Sequence, residues 1–336
     1  MRASLLFLFV VSFFILMFFG VEQAQLQNLF ARFSNASARE QLQILEDVVK
    51  KTDIEHGWQL LAKNNIPAVG NLPYFLGNKL FQLYGMDGAS RCPQRFSVGC
   101  RAGFLQSALE QEGIQNISTF EEMCRSWGDI SFCTHGFGHG FVHITDFNVP
   151  SALSYCDLYA PDGRENKRRC WQGVFQEDEK RFALLFGADF SPDALTRCAT
   201  VSEKYQSTCA YSRTIKQVET FRSPFARVAE LCTSTDNTYL RRGCILIAGR
   251  QIAISKKTTE QTKKTCNEFF PDDAESAYCI MGAAEFAALS PDTATKSTAL
   301  ALCKIVPASF HNQCVGVVSN PTSLGKSLEF FENFID

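Results

Sequence analysis

The sequence has almost no net charge, because 33 lysines and arginines face 35 aspartates and glutamates. A protein that binds nucleic acid through its phosphates needs an excess of cations to displace counterions. No such excess exists here, so we expect no nucleic-acid partner. A disordered chain is also excluded, because 46% of the residues are apolar and 30 are phenylalanine.

Several short motifs with a known chemistry are absent. No C-x-x-C pair occurs, which argues against a zinc ribbon, a thioredoxin-type site and covalently attached haem. There is no phosphate-binding G-x-x-x-x-G-K-[ST] loop, and no strand-like segment leads into a glycine motif. Nucleotide-dependent and thiol-redox functions of these types are therefore not indicated.

Cysteine is missing from the first 91 residues, which begin with a long apolar run at 5–19 preceded by Arg2. Such a segment is a signal peptide or an uncleaved N-terminal membrane anchor. The apolar stretch 3–21 comes close to the length that spans a bilayer, and cleavage after Ala24 would place the unfavourable Glu22 at position −3. Both alternatives deliver the body of the chain to an oxidising compartment, where disulfides persist. We expect residues 1–24 to have one of these roles and favour the anchor, with an extracytoplasmic body.

The 14 cysteines after that point are regularly spaced. Short steps of eight residues (Cys92 to Cys100) up to 14 (Cys156 to Cys170) alternate with longer steps that reach 28 (Cys170 to Cys198). This gives seven cysteine pairs, in units of about 32 to 42 residues that are typical of helical-hairpin solenoids.

We predict one disulfide in each hairpin, joining the end of its first helix to the start of its second. Closing such a loop raises the free energy of unfolding by about 3 kcal/mol, if the disulfide acts by lowering the conformational entropy of the unfolded chain. Spacing alone does not prove the connectivity, and zinc sites or free thiols are the alternatives. The predicted pairs are Cys92–Cys100, Cys124–Cys133, Cys156–Cys170, Cys198–Cys209, Cys232–Cys244, Cys266–Cys279 and Cys303–Cys314.

The predicted fold is all-α, an α-solenoid of about seven disulfide-stapled helical hairpins with an N-terminal helical cap. The cap covers 25–91 and contains helices at 37–51 and 72–84. The cysteine-paired repeats cover 92–325, and a short C-terminal helix covers 326–336.

One repeat differs from the others, because three of the five histidines lie together in CTHGFGHGFVH, at His135, His139 and His143. Residues four apart lie on one face of a helix, so an adjacent histidine pair could bind one metal ion. Glu177 in the next repeat occupies a similar position after its cysteine and is the candidate third ligand or general base. Two histidines and one carboxylate would suit zinc or non-haem iron.

Other interpretations of this segment stay open. The histidines could be hydrogen-bonded packing residues, since polar clusters are often structural. Gly138 and Gly140 each cost a helix roughly 1 kcal/mol, which suggests that a ligand or an aromatic ring approaches the backbone there. A phosphate loop and a nucleophilic Cys133 are the less favoured alternatives.

A polar residue recurs six positions after the second cysteine of most repeats. Polar residues at one position of otherwise apolar helices predict either an inner binding groove or a solvated face without a ligand. The residues at this position are Gln106, His139, Gln176, Ile215, Arg250, Glu285 and Asn320.

The segments CTHGFGHGFVH and CWQGVFQE resemble a pattern in bacterial secreted or membrane-anchored Cys-rich proteins of uncharacterised activity, C-x-H-G-x-G-H followed by C-x-x-G-V-F-x-E. The likeness covers Met123 to about Cys209, whereas the repeat at Cys100 lacks the histidines expected of such proteins. The solenoid is similar in shape to tetratricopeptide-type repeats, although their consensus residues are absent. The resemblance implies a role for His135, His139 and Glu177 without naming a reaction.

Two functions follow from these patterns. The first is a binding or scaffold module of the cell envelope, attached to the membrane by its N-terminal segment and engaging a peptide, polymer or protein partner. The second is a zinc- or iron-dependent enzyme, hydrolytic or oxidative, that uses the histidine segment. Metal binding at the histidines would favour the second function, and its absence would exclude it.

Overall fold

The computed structural model describes residues 27–66, 71–128, 130–159, 164–186, 194–221, 225–254, 258–288 and 293–319. In these ranges all regular structure is helical. None of the helices in them combines the length and apolarity needed to cross a bilayer. The predicted leader or anchor (1–24), the C-terminal helix (326–336) and Asn320 lie outside the described residues.

The helices are numbered here in chain order. They are α1 (Ala38–Lys51), α2 (Ile54–Lys63), α3 (Asn71–Tyr84), α4 (Ser97–Glu112), α5 (Ile117–Ser126), α6 (Ile130–Ile144), α7 (Val149–Tyr159), α8 (Arg164–Phe186), α9 (Ala194–Ala199), α10 (Glu203–Phe221), α11 (Phe225–Thr233), α12 (Thr238–Ile254), α13 (Thr259–Phe269), α14 (Asp273–Ala288), α15 (Thr293–Cys303) and α16 (Ala308–Ser319). A helical stretch at 27–33 precedes α1, and short 3₁₀ segments flank α4.

Local sequence explains where the first of these helices starts. The Ser37 hydroxyl accepts a hydrogen bond from the Glu40 backbone, and the Glu40 carboxylate accepts one from the Ser37 backbone at 2.8 Å. This reciprocal capping box satisfies two backbone donors that a helix N-terminus otherwise leaves unpaired. The predicted helices at 37–51 and 72–84 are confirmed as α1 and α3.

All seven predicted disulfides are confirmed, and they pair all 14 cysteines. Six of them join the two helices of a hairpin, from α5–α6 to α15–α16, while Cys92 follows a 3₁₀ segment instead of a helix. A chain with every cysteine paired belongs in an oxidising, extracytoplasmic compartment.

The second cysteine of each hairpin lies deeper in its helix than expected. Cys209 is six residues after Glu203, the first residue of α10, and α12, α14 and α16 repeat this offset. The second helix therefore begins before its disulfide-bonded cysteine. The disulfide joins the two helices at least about one helical turn beyond the connecting loop.

The chain divides into two compact units, Met1–Ala108 and Leu109–Asp336. In the second unit the second helix of each hairpin packs on that of the next, in the order α6, α8, α10, α12 and α14. The first helices pack on the second helix of their own hairpin or of the preceding one, and α15 packs mainly on α14 of the preceding hairpin. A continuous core runs through the second helices, as in helical repeats in which each unit buries its apolar face against its neighbours.

Glycines allow some of these helices to touch backbone to backbone. A Cβ on Gly138 of α6 would overlap the carbonyl oxygen of Cys170, and a Cβ on Gly173 of α8 would overlap that of His135. The same reciprocal crossing joins α12 and α14 through Gly249 and Gly282.

The N-terminal unit has a third reciprocal crossing of this type. There, Gly77 of α3 faces the backbone of Cys100, and Gly103 of α4 faces that of Tyr74. The helix α3 has no cysteine but occupies the place of a second helix in the pattern. The pair α2–α3 therefore fits the unstapled capping hairpin expected in this region.

Candidate functional site

The α6–α8 crossing sets the geometry of the predicted histidine site. Because Gly138 has no side chain, the backbone of α8 can lie directly against it. Helix packing rather than a ligand therefore explains one of the two extra glycines. A Cβ on Gly140 would come within 2.6 Å of the Leu109 side chain, so that position also serves packing. The close approach brings the histidine face of α6 against the glutamate of α8.

His135 and His139 point their Nε2 atoms at each other, 3.2 Å apart. The opposite ring nitrogen of each has a partner on α8. The Nδ1 atom of His139 lies 2.9 Å from a Glu177 carboxylate oxygen, and that of His135 lies 3.2 Å from the backbone carbonyl oxygen of Arg169. His139 is 5% exposed, whereas His135 is half-buried.

Glu177 is the centre of the cluster. It is buried, and its second carboxylate oxygen lies 3.0 Å from Nε2 of His143 and 3.2 Å from Nζ of Lys180. The other ring nitrogen of His143 lies 3.0 Å from the carboxylate of Glu110 on α4. The sequence did not point to Glu110, because its place beside His143 depends on how α4 packs.

Electrostatics keep the carboxylate of Glu177 ionised and His143 protonated at neutral pH. Burial raises the pKa of Glu177, but the charge of Lys180 and hydrogen bonds from His139 and His143 hold it well below its ordinary value. Burial lowers the pKa of His143, but hydrogen bonds to Glu110 and Glu177 outweigh this effect and raise the pKa to about 9.

Hydrogen-bond partners constrain the protons on the histidine pair. A carbonyl oxygen and an ionised carboxylate can only accept, so both Nδ1 atoms must carry a proton. Neutral imidazoles would then aim two lone pairs at each other across 3.2 Å. A cation is needed between the Nε2 atoms of His135 and His139, and either a shared proton or a metal ion meets that need.

The two acidic residues after Glu177 connect α8 to the following hairpin. Arg213 of α10 pairs with Asp178 and, at 2.8 Å, with Glu179, and Arg197 of α9 also pairs with Glu179. Glu179 and Arg213 are buried, so these are partnered internal charges. Three consecutive carboxylates thus fix the rotation of α8 between its two neighbours.

The structure divides the predicted ligand set into two groups. His135 and His139 converge, whereas Glu177 and His143 bind each other and the surrounding side chains. Among the described residues, no group of three or more histidine, cysteine, aspartate or glutamate side chains is arranged to hold one metal ion. The atoms that could hold an ion are the two Nε2 nitrogens, with Glu177 orienting one ring.

Two less favoured interpretations of the segment are wrong. Cys133 is not available as a nucleophile, because it is bonded to Cys124. The G-F-G-H-G sequence is not a phosphate loop, since it lies within the continuous helix α6. The catalytic chemistry that remains open to the segment belongs to its imidazole and carboxylate groups.

The other polar positions of the repeat are mostly inside the protein. Gln106 and Glu285 are buried, and Gln106 accepts a hydrogen bond from the Tyr74 hydroxyl. Gln176 and Arg250 are half-buried, and the Arg250 guanidinium lies 4.9 Å from the ring centre of Phe286. The binding-groove interpretation of these residues stays a prediction.

The α12–α14 crossing shows that this packing does not require histidine. Arg250 and Phe286 follow their cysteines at the same offsets as His139 and Glu177, and they make a cation–π contact. The same backbone crossing is therefore built with different side chains. The imidazole–carboxylate cluster is therefore not a requirement of the crossing itself.

Comparison with known proteins adds no assignment, since no protein family, curated protein or solved structure matches this chain.

We expect the stability of the metal-free protein to fall at alkaline pH because of His143. Its pKa in the folded protein is about 9, above the ordinary 6.5. The stabilising effect of its charge is therefore complete below about pH 6.5 and is lost as the pH rises through about 9, on the order of 2–3 kcal/mol in all. Urea unfolding in the presence of a chelator, from pH 6 to pH 10, measures this effect.

The control for this measurement is His143→Gln, which can hydrogen-bond but does not titrate. The difference in unfolding free energy between the two proteins should shrink across that range. A constant difference would contradict the prediction.

Proposed function

We propose that this protein is an extracytoplasmic helical-repeat binding module of the cell envelope, and that its α6–α8 site binds a divalent transition-metal ion such as Zn²⁺ or Fe²⁺. The two protein ligands are Nε2 of His135 and Nε2 of His139. The N-terminal apolar segment at 5–19 would attach the module to the membrane.

The observation that carries the proposal is the pair of converging Nε2 atoms. With metal–nitrogen distances of about 2.0–2.1 Å, two ligands of a tetrahedral ion lie about 3.3 Å apart, and two ligands at a right angle lie about 2.9 Å apart. The 3.2 Å separation of His135 and His139 falls between these values. An ion at this position would also satisfy the two facing lone pairs.

The partners of the opposite ring nitrogens support the same assignment. Histidine ligands of metals usually donate their second N–H to a carboxylate or to a backbone carbonyl, which fixes the tautomer and the ring orientation. Here Glu177 does this for His139, and the carbonyl group of Arg169 does it for His135. Each histidine therefore has the support expected of a ligand.

A metal-dependent hydrolytic or oxidative enzyme is the second candidate function. An ion with only two protein ligands keeps open coordination positions, which a catalytic metal needs for water or substrate. In that case Glu177 would act as a positioning residue for His139, since both its carboxylate oxygens already have partners. A binding module is the more economical proposal because it needs no reacting group beyond the ligand pair.

The test is metal binding by the purified full chain with its disulfides intact. After treatment with a chelator, titration with Zn²⁺ or Co²⁺ should show one ion per chain. His135→Ala and His139→Ala should each reduce the affinity at least about 100-fold, and Glu177→Gln about 10- to 100-fold, as expected for an orienting partner.

Two variants serve as matched controls. In His311→Ala the chain loses another histidine whose Nδ1 atom lies against a backbone carbonyl, 2.9 Å from that of Cys303. Arg250→Ala alters the equivalent position of the α12–α14 crossing. Both variants should bind the ion like the unmodified protein. Absence of binding in the unmodified protein would show that a proton occupies the pair, and equal loss in the controls would show that the ion does not bind specifically there; either result would overturn the proposal.

A further inference from the structure

The four salt-bridged side chains beside the histidine pair carry no net charge among themselves. Glu110 and Glu177 are negative, and their partners His143 and Lys180 are positive, so the four charges cancel. Each ring nitrogen of His143 lies 3.0 Å from a carboxylate oxygen, which accepts a hydrogen bond, so the ring carries two protons and a positive charge. This balanced set is already complete before any ion binds.

An ion held by two neutral imidazoles would therefore keep its full double charge. His139 is buried and His135 is half-buried, so part of this charge would be removed from water. A charge in such a position is costly unless a charge of opposite sign accompanies it. Neither carboxylate of the cluster is turned toward the Nε2 atoms, since Glu177 contacts His139 and His143, and Glu110 contacts His143.

We propose that the ion held by His135 and His139 takes an oxyanion as its exchangeable ligand, either a carboxylate or a phosphate oxygen. The inference rests on the proposed function, and it names the class of molecule that this site would recognise. Entry is possible from the side of His135, which is the more exposed ring of the pair. A neutral ligand of the same shape would bind more weakly, because it leaves the charge of the ion uncompensated.

The experiment uses the full chain loaded with one equivalent of Co²⁺, whose visible absorption reports its coordination. Acetate and inorganic phosphate are titrated in turn, with acetamide as the neutral match for acetate. Acetate and phosphate should change the spectrum with saturation, whereas acetamide at equal concentration should not. The cobalt content after desalting checks that the anions have not removed the ion.

Two further variants test the role of charge, because they change the net charge around the ion in opposite directions. Glu110→Gln makes the surroundings more positive and should tighten acetate binding, and Lys180→Gln makes them more negative and should weaken it, each by about two- to tenfold. A structural disturbance alone would move both affinities in the same direction.

The outcomes separate this inference from the proposed function. If Co²⁺ binds but acetate and phosphate leave its spectrum unchanged, or acetamide acts equally well, the oxyanion inference is wrong and the metal site stands. The inference would also be wrong if Glu110→Gln and Lys180→Gln changed the affinity for acetate in the same direction and by the same amount. If Co²⁺ does not bind, both proposals are wrong.

Discussion

Complete reduction of the seven disulfides is expected to unfold the protein at room temperature. Each staple closes a short loop, from Cys92–Cys100 to Cys156–Cys170, and contributes about 3 kcal/mol by limiting the unfolded chain. Seven such contributions exceed the total of about 5–15 kcal/mol by which folded proteins are usually stable. Far-ultraviolet circular dichroism after reduction and thiol blocking should show the loss of most helical signal.

Removal of a single staple provides the control for this prediction. The double variant Cys124→Ala/Cys133→Ala lacks one disulfide beside the histidine segment and should stay folded, with a free energy of unfolding lower by about 2–3 kcal/mol. A fully reduced and blocked protein that keeps its helical spectrum would contradict the prediction. The helix–helix core alone would then be sufficient for folding.

Gly138→Ala is expected to destabilise the protein by about 2–4 kcal/mol, although alanine is the better helix former by about 1 kcal/mol. The new Cβ would overlap the carbonyl oxygen of Cys170, which is backbone and cannot move aside as a side chain could. The helices α6 and α8 would have to separate, which would pull Glu177 away from His139. Denaturant unfolding measures the loss of stability, and Co²⁺ titration should show weaker binding.

Gly57→Ala is the matched control, because its Cβ would meet only side-chain atoms. The nearest are Cδ2 of Leu76 at 3.1 Å and Cγ2 of Val49 at 3.2 Å, and both can shift slightly. Its stability should change by less than about 1 kcal/mol, with metal binding unaffected. Equal effects of the two substitutions would show that the backbone contact at Gly138 is not the cause.

The helical-hairpin architecture could be predicted because the spacing of the cysteines can be counted directly along the sequence. A short step such as Cys124–Cys133 permits a bond across a single turn, and its regular recurrence identified every disulfide. The helical period also placed His135, His139 and His143 on one face of α6. The second cysteine was predicted at the start of its helix, which is wrong, since spacing does not show where the connecting loop ends.

The sequence identified most of the residues that form the site, but it did not show the role of each. It pointed to Glu177 as a neighbour of His139, but as a ligand or base rather than as a group that orients a ring. It did not indicate the Arg169 carbonyl group, because every residue has a backbone carbonyl and the residue type does not show which one accepts a hydrogen bond. It also missed Glu110, whose contact with His143 depends on the packing of a different hairpin.

The sequence by itself therefore determined the disulfide-stapled repeat, the oxidising compartment that it requires and the one repeat with a histidine face. Only the tertiary structure decided which atoms on that face converge. A helical period fixes directions around one helix axis, but not the distance or rotation between two helices. The glycine crossing of α6 and α8 sets both, and it leaves two imidazole nitrogens 3.2 Å apart with a cation required between them.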